Sequence, residues 1–131
     1  MERKEKGDMK KVLVVGSLDM VLSVDHHPVP GETIIGDGIT YHPGGKGANQ
    51  AYAVGKLGGD VRIIGCVGWD NNGMILTENL AQAGVDTTAI NRMPEAPTGM
   101  AIIDVDKKGD NSIIVISGAN ACLTPDLLRK Q

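Results

Sequence analysis

The sequence predicts an α/β domain: a parallel sheet with flanking helices, accompanied by a small β-stranded lid. Two continuous apolar runs, Lys11–Gly16 and Val61–Val67, are each stopped by glycine and are typical of parallel strands buried on both faces. Helical stretches alternate with these runs, as crossover connections between parallel strands require. Two pairs of short β-prone segments, at about residues 20–42 and 99–116, interrupt this alternation, and we assign them to a separate small β element, which is called the lid below.

In the first half of the chain, the lid segments come before the first helix. Val21–Val24 is a short β-prone segment, and Thr33–Ile35 and Ile39–His42 flank a glycine-containing turn that predicts a hairpin. A helix follows a glycine-rich loop and ends at Leu57, before two consecutive glycines. Its small residues would let it approach the sheet closely.

In the second half, the apolar strand leads into an amphipathic helix, with apolar residues on one face between Leu76 and Ala83. We expect Asp70, which precedes this helix, to cap it. Gly99–Val105 and Ser112–Ile116 flank a five-residue loop with glycine, which predicts a second hairpin. Thr124 then precedes proline and an acidic residue, which is the pattern of a capped helix start. We expect residues 11–131 to form one part of a larger domain, after a charged leader at 1–10.

The composition excludes two classes of partner. The 131 residues carry 13 Lys and Arg against 16 Asp and Glu, whereas proteins that bind a phosphate backbone normally need a basic surface. One Trp, two Tyr and no Phe also leave little for base stacking. No apolar run approaches the ~18 residues of a membrane span. We therefore expect no nucleic acid, no membrane and a cytoplasmic location.

Neither the cysteines nor the histidines form a metal-binding pattern. Cys66 and Cys122 are 56 positions apart, without a nearby partner at zinc spacing, and we interpret them as buried free thiols. His26 and His27 precede Pro28, and His42 precedes the glycine-rich loop, again without further ligands at a suitable spacing. We expect the histidines on the lid surface and no metal site.

The glycine-rich loop Gly44–Asn49 (GGKGAN) is the strongest candidate for chemistry. It joins a β segment to a helix, so backbone N–H groups of the helix N-terminus point outward, and glycines let a ligand approach them. A Walker phosphate loop and a dinucleotide fingerprint both need other residues at this spacing. Two interpretations stay open at this point: a cradle for a polar ligand and an ordinary glycine-rich helix start.

A longer pattern favours the cradle. The loop continues into Ala51, and glycines recur at Gly58 and Gly68. This spacing resembles the N-terminal signature of the ribokinase family of carbohydrate and nucleoside kinases. The resemblance covers about Lys11 to Asp126. The other matching stretches are Val14-Val15-Gly16-Ser17, Pro30-Gly31-Glu32-Thr33, Gly65-x-Val67-Gly68-x-Asp70-x-x-Gly73, Gly84-Val85-Asp86-Thr87, Thr98-Gly99-x-Ala101, Asp110-Asn111-Ser112-Ile113 and Gly118-Ala119-Asn120-Ala121.

The resemblance implies a ribokinase-like fold, Rossmann-like and incomplete in this chain, with a sugar site beside the glycine loop. Backbone N–H groups, a lysine and an amide suit a polyol, which needs several convergent donors and acceptors. The residues that would contact sugar hydroxyls are Asp19, Gly45, Lys46, Gly47, Ala48 and Asn49. The residues that would wall the sugar from the lid are Ala101, Ile103 and Val115, for which plain strand packing is an equal alternative.

The chain departs from the family pattern at the first strand end. The family pattern has an Asn and an Asp that both hold ribose hydroxyls, and this chain is two residues shorter there. Asp19 then aligns with the family's Asp, and the Asn has no counterpart. A carboxylate accepts hydroxyl hydrogens more strongly than a neutral amide does, so the loss of the Asn need not abolish sugar binding.

The resemblance also implies the reaction. Family members use ATP and Mg²⁺ to phosphorylate a sugar hydroxyl, for example ribose to ribose 5-phosphate, with an Asp of a Gly-x-Gly-Asp motif as the base. That motif is absent from these 131 residues. We expect the sugar-binding N-terminal part of such a kinase, inactive alone and without bound ATP or Mg²⁺. The alternative is a stand-alone sugar-binding or regulatory half-domain that associates with a partner chain. A homodimer through the β lid, or pairing through an exposed sheet edge, is also implied.

Overall fold

A computed structural model describes residues 10–131 and divides them between two sheets. A three-stranded parallel sheet has the order β1-β4-β5, and a four-stranded sheet, the lid, has the order β3-β2-β6-β7. The elements are β1 (Lys11–Val15), β2 (Asp19–Val24), β3 (Thr40–Gly44), α1 (Lys46–Lys56), β4 (Asp60–Gly68), α2 (Asn71–Gln82), β5 (Ile90–Met93), β6 (Gly99–Val105), β7 (Asn111–Ile116), a 3-10 turn (Gly118–Cys122) and α3 (Pro125–Arg129).

The parallel sheet is built around β4. β1 pairs with the first half of β4, from Lys11 beside Asp60, and β5 pairs with its last four residues. β5 was not predicted, because its sequence (INRM) has neither an apolar run nor a clean alternation that would mark a strand. Pairing with an already buried neighbour, rather than local propensity, makes it a strand.

The core lies between this sheet and helices α1 and α2. Leu18, Ile63, Leu76 and Leu80 are at most 1% exposed, and Ala51 of α1 is fully buried among them. The predicted helical face of α2 is therefore confirmed. Both predicted helix caps are confirmed as well: Asp70 accepts a hydrogen bond from the Gly73 amide, and Thr124 accepts one from the Leu127 amide.

The expectation that β1 is buried on both faces is wrong. β4 is buried along most of its length, but Val12, Leu13 and Val15 of β1 are 39–58% exposed. The physical reason is position: within residues 10–131, β1 has a paired strand on one side only, whereas β4 lies between two strands. An apolar strand is buried only where neighbours cover it.

The lid contains the predicted second hairpin, since β6 and β7 pair antiparallel around the 106–110 loop. The first predicted hairpin is wrong, because Thr33–Ile35 forms no strand and Ile35 is 94% exposed. β3 instead pairs antiparallel with β2, from Ser23 beside Thr40 to Asp19 beside Gly44. This long-range ladder replaces the local one and extends β3 into the glycine loop.

No helix among residues 10–131 is both long enough and apolar enough to cross a bilayer.

Candidate sugar-binding site

The glycine loop forms the corner between the lid and the parallel sheet. Gly45 has φ of 98°, a conformation that other residues rarely adopt, and a Cβ there would lie 2.6 Å from the Ser17 carbonyl oxygen. It is the N-cap of α1 and offers no capping side chain. The Ala48 amide donates to the Ser17 carbonyl at 3.0 Å. The amides of Lys46 and Gly47 have no hydrogen-bond partner among the described residues; Lys46 is exposed and Gly47 is buried.

Close packing explains one of these glycines without any ligand. A Cβ on Gly47 would lie 2.7 Å from the carbonyl carbon of Gly16, at the end of β1. The buried Gly47 and Ala48 therefore bring the start of α1 against the strand end. The two interpretations of the loop are compatible: the glycines allow this approach, and the approach leaves the first amides of α1 at the strand ends.

Asp19 lies at the start of β2, beside Gly44 on one side and Gly99 on the other. It is 9% exposed, and its Oδ1 accepts a hydrogen bond from Asn120 Nδ2 at 2.9 Å. Burial raises the pKa of Asp19 above its ordinary value, and the Asn120 hydrogen bond offsets part of that rise. Oδ2 accepts no hydrogen bond from the described residues and is not fully buried.

Asn120 is a residue that the sequence reasoning missed as a site component. It lies in the 3-10 turn and makes hydrogen bonds to both backbone polar groups of Leu18 as well as to Asp19. Its stretch, Gly118-Ala119-Asn120-Ala121, was one of the matching stretches of the family pattern. That stretch was the available signal, but nothing in the sequence indicated which residue it contacts.

Strand register places the three predicted wall residues on one face of the lid, together with Asp19. Ala101 pairs with Val21 across β2 and with Val115 across β7, and Ile103 lies two residues further on the same face. Ala101 is buried, whereas Val115 is 63% exposed. Strand packing therefore accounts for Ala101 but not for Val115, which has open space beside it.

Lys46 and Asn49 are exposed at the start of α1. Asn49 lines a cavity of about 240 Å³ together with Ala48, Tyr52 and Asn79. This cavity lies between β3, α1 and α2, and neither Asp19 nor any of the three wall residues lines it. The structure thus places Asp19 and Gly45 together at one strand end, with Ala101 and Val115 two residues and Ile103 four residues further along the lid. Asn49 lies beside the neighbouring cavity.

A second buried network fixes the base of the lid. The Asp70 carboxylate accepts hydrogen bonds from the Gly73 amide, from the Thr98 amide at 2.9 Å and from the Thr98 hydroxyl at 2.5 Å. Burial opposes the ionisation of Asp70, but these hydrogen bonds outweigh it and hold the pKa of Asp70 below its ordinary value. Thr98 precedes β6, so this network ties a lid strand to the start of α2.

The possible metal ligands that the described residues bring together lie at the other end of the lid. Atoms of Asp25, His26 and Asp37 lie within 4.8 Å of one another on the surface. Asp25 is six residues from Asp19, which is roughly 20 Å along an extended strand. His27 Nδ1 lies 2.6 Å from Asp104 Oδ2, also on the lid surface. Among the described residues, no group of three possible metal ligands lies beside Asp19.

Comparison with known proteins agrees with this geometry. The model of the pfkB family carbohydrate kinases matches residues 9–131. The ribokinase of Haemophilus influenzae is 45% identical over 125 residues, which cover 93% of this chain and 41% of that protein. The ribokinase of Bacillus subtilis is 42% identical, over 89% of this chain and 40% of its own length.

Solved structures give the same result. Arabidopsis thaliana ribokinase, complexed with ribose and ATP, has a TM-score of 0.78 at 34% identity and is matched over 37% of its length, by 86% of this chain. Giardia lamblia ribokinase has a TM-score of 0.82 at 34% identity, with 92% of this chain and 40% of that one covered. The chain spans about two fifths of the length of the relatives it matches.

This chain has an α/β layer, a β lid and a glycine-rich helix start at the corner between them. Together these features are typical of sugar-kinase folds. The chain belongs to the pfkB family of carbohydrate kinases.

Proposed function

We propose that this chain is the sugar-binding part of an ATP-dependent, ribokinase-like kinase, with ribose as the substrate and ribose 5-phosphate as the product of the whole enzyme. The observation that carries the proposal is the pairing of Asp19 with Gly44 at the start of the glycine loop, since Oδ2 of Asp19 and the first amides of α1 have no hydrogen-bond partner among the described residues. The names of the relatives, and the ribose and ATP bound to the Arabidopsis protein, support the choice of sugar and nucleotide.

The corner suits a sugar because it offers both kinds of hydrogen-bonding group. The carboxylate of Asp19 accepts hydroxyl hydrogens, and the amides of Lys46 and Gly47 donate to hydroxyl oxygens. The exposed Lys46 ammonium would add a further donor, whereas Ala48 and Asn49 line the neighbouring cavity. Ala101, Ile103 and Val115 would close the apolar side of the ring.

We propose ATP and Mg²⁺ as cofactors of the whole enzyme only, and not as ligands of these 131 residues alone. The Gly-x-Gly-Asp motif is absent from the sequence, and Gly58-Gly59-Asp60 lies at the end of α1, where the helix dipole disfavours a phosphate. We therefore expect the 131-residue chain to bind ribose without MgATP and to show no phosphorylation of ribose.

The test is isothermal calorimetry of ribose and MgATP against the chain and two glycine variants. A Cβ at position 99 would collide with both Asp19 Oδ1 and Asn120 Nδ2, whereas a Cβ at Gly36 meets nothing within 4 Å. We expect Gly99→Ala to lower ribose affinity at least about tenfold and Gly36→Ala to leave it unchanged. An unmodified chain that binds no ribose, or a Gly99→Ala chain with full affinity, would contradict the proposal.

The alternative, a half-domain that works with a partner chain, is favoured by the apolar residues of β1. Val12, Leu13 and Val15 are exposed, and β1 has an unpaired edge within the described residues. β7 supports a homodimer through the lid in the same way, since Ile113, Ile114 and Val115 are 54–63% exposed. Sedimentation velocity of the parent, Leu13→Lys and Ile114→Lys chains separates the two surfaces, because only the substitution in the interface should reduce association.

We also propose a cytoplasmic location. Both cysteines are free, and burial raises the pKa of the Cys66 thiol to about 11. Such a thiol is scarcely ionised at neutral pH and therefore unreactive. Cysteines without a disulfide are typical of a reducing compartment.

A further inference from the structure

The side chain of Asn120 makes three hydrogen bonds, and all of them go to the start of β2. Its Oδ1 accepts from the Leu18 amide at 3.0 Å, and its Nδ2 donates to the Leu18 carbonyl at 3.1 Å and to Asp19 Oδ1 at 2.9 Å. The turn that carries it is itself fixed, because the Ala119 amide donates to the Pro97 carbonyl at 2.6 Å and Ala119 is fully buried. The amide therefore holds one orientation.

The surroundings of this pair leave one oxygen of Asp19 for a ligand. Gly99 lies beside the contact between Asp19 and Asn120, and a Cβ there would overlap both side chains. Oδ1 of Asp19 is taken by the amide, while Oδ2 is not fully buried and has no hydrogen-bond partner among the described residues. A carboxylate held by one oxygen has lost its rotational freedom before any ligand arrives.

Resting on the proposed sugar-binding function, we propose that Asn120 is a positioning residue for the sugar: it holds Asp19 through Oδ1 so that Oδ2 meets the ligand in a fixed orientation. Asn120 itself does not contact the sugar. In this role it connects the turn after β7 to the first residue of β2, 101 positions away in the sequence. The same amide also holds the backbone of Leu18, so the strand end and the carboxylate move as one unit.

The first test compares two isosteric changes. Asn120→Asp keeps the acceptor for the Leu18 amide and replaces the donor to Asp19 Oδ1 and to the Leu18 carbonyl by a second carboxylate. Asn91→Asp is the matched control, because the Asn91 amide also donates to backbone carbonyls, those of Gly65 and Ala89. At neutral pH we expect Asn120→Asp to lower ribose affinity about tenfold and Asn91→Asp to leave it near that of the parent.

The pH profile separates positioning from a general loss of structure. In the parent, burial raises and the Asn120 amide lowers the pKa of Asp19, with no charged side chain of the described residues contributing. At low pH, the Asp19 carboxyl and the carboxyl introduced by Asn120→Asp share one proton, and this proton restores a hydrogen-bond donor between them. The affinity deficit of Asn120→Asp relative to the parent should therefore narrow as pH falls. A deficit that stays constant with pH, or parental affinity at neutral pH, would overturn the inference.

A second measurement needs no sugar. NMR titration of the Asp19 carboxyl carbon in the parent, Asn120→Ser and Asn91→Asp chains should give a higher pKa for Asp19 only in Asn120→Ser, with thermal melting to verify that each chain folds. An unchanged pKa of Asp19 in a folded Asn120→Ser chain would also overturn the inference. If the parent binds no ribose, the sugar-binding function fails, and this titration still decides whether Asn120 holds Asp19.

Discussion

Asp19 and Asp70 are both aspartates at the base of the lid, but their carboxylates have opposite surroundings. Asp70 accepts three hydrogen bonds from Gly73 and Thr98, and its pKa lies below the ordinary value. Asp19 accepts one, from Asn120, and its pKa lies above the ordinary value because burial dominates. Both carboxylate oxygens of Asp70 accept hydrogen bonds from the protein, whereas Oδ2 of Asp19 accepts none from the described residues.

This difference separates a structural carboxylate from one that is available to a ligand. A carboxylate whose oxygens are filled by the protein contributes to stability and has little left for a substrate. A buried carboxylate with an open oxygen costs stability and is retained where a ligand supplies the missing partner. The two residues therefore predict opposite effects of substitution on stability and on binding.

The largest effect should come from Asp70→Ala. The change removes the cap of α2 and leaves the buried Thr98 amide without its partner, so we expect a loss of about 3 kcal/mol in the free energy of unfolding. Urea unfolding measures it. Asp86→Ala is the control, because that exposed carboxylate bonds only to Thr88 nearby and should cost less than about 1 kcal/mol. Equal losses of unfolding free energy in Asp70→Ala and Asp86→Ala would contradict the structural role of Asp70.

A smaller effect, on binding instead of stability, should follow Asp19→Asn. We expect ribose affinity to fall about tenfold, which is about 1.4 kcal/mol, because a neutral amide replaces the open carboxylate oxygen. The free energy of unfolding should change by less than about 1 kcal/mol, since one hydrogen bond is at stake. Calorimetry and urea unfolding on the same preparation test this. Lost stability with unchanged affinity would make Asp19 a structural residue like Asp70.

The smallest effect should be seen in the pH dependence of stability. The lowered pKa of Asp70 stabilises the fold above the unfolded carboxyl pKa of about 3.9, and this contribution is lost as pH falls through the folded pKa. The raised pKa of Asp19 acts oppositely: its contribution is present below about pH 3.9 and is lost as pH rises through the folded pKa.

Urea unfolding from pH 3 to pH 7 therefore has an expected sign for each variant. Relative to the parent, Asp19→Asn should gain stability as pH rises, and Asp70→Ala should lose it. Slopes of the same sign in the two variants would contradict the assignment of opposite pKa shifts.

The contacts around Asp70 mark the range over which the sequence was informative. Its cap to Gly73 spans three residues and was predicted, whereas its bonds to Thr98 span 28 residues and were not. The glycine loop, the amphipathic face of α2 and the hairpin of β6 and β7 were likewise predicted from local patterns. The prediction of a hairpin at Thr33–Ile35 was wrong because β3 pairs with β2, which is more distant in the sequence.

The sequence by itself determined the α/β class, the helix caps and the residues of the glycine loop, because periodicity, capping and turn chemistry act between neighbours a few residues apart. Only the tertiary structure decided that β1 is exposed and that β5 is a strand. The burial of a strand and its pairing both depend on which other strands lie beside that strand. Only the tertiary structure joined Asn120 to Asp19. A hydrogen bond across 101 residues exists through chain topology, which local residue preferences do not encode.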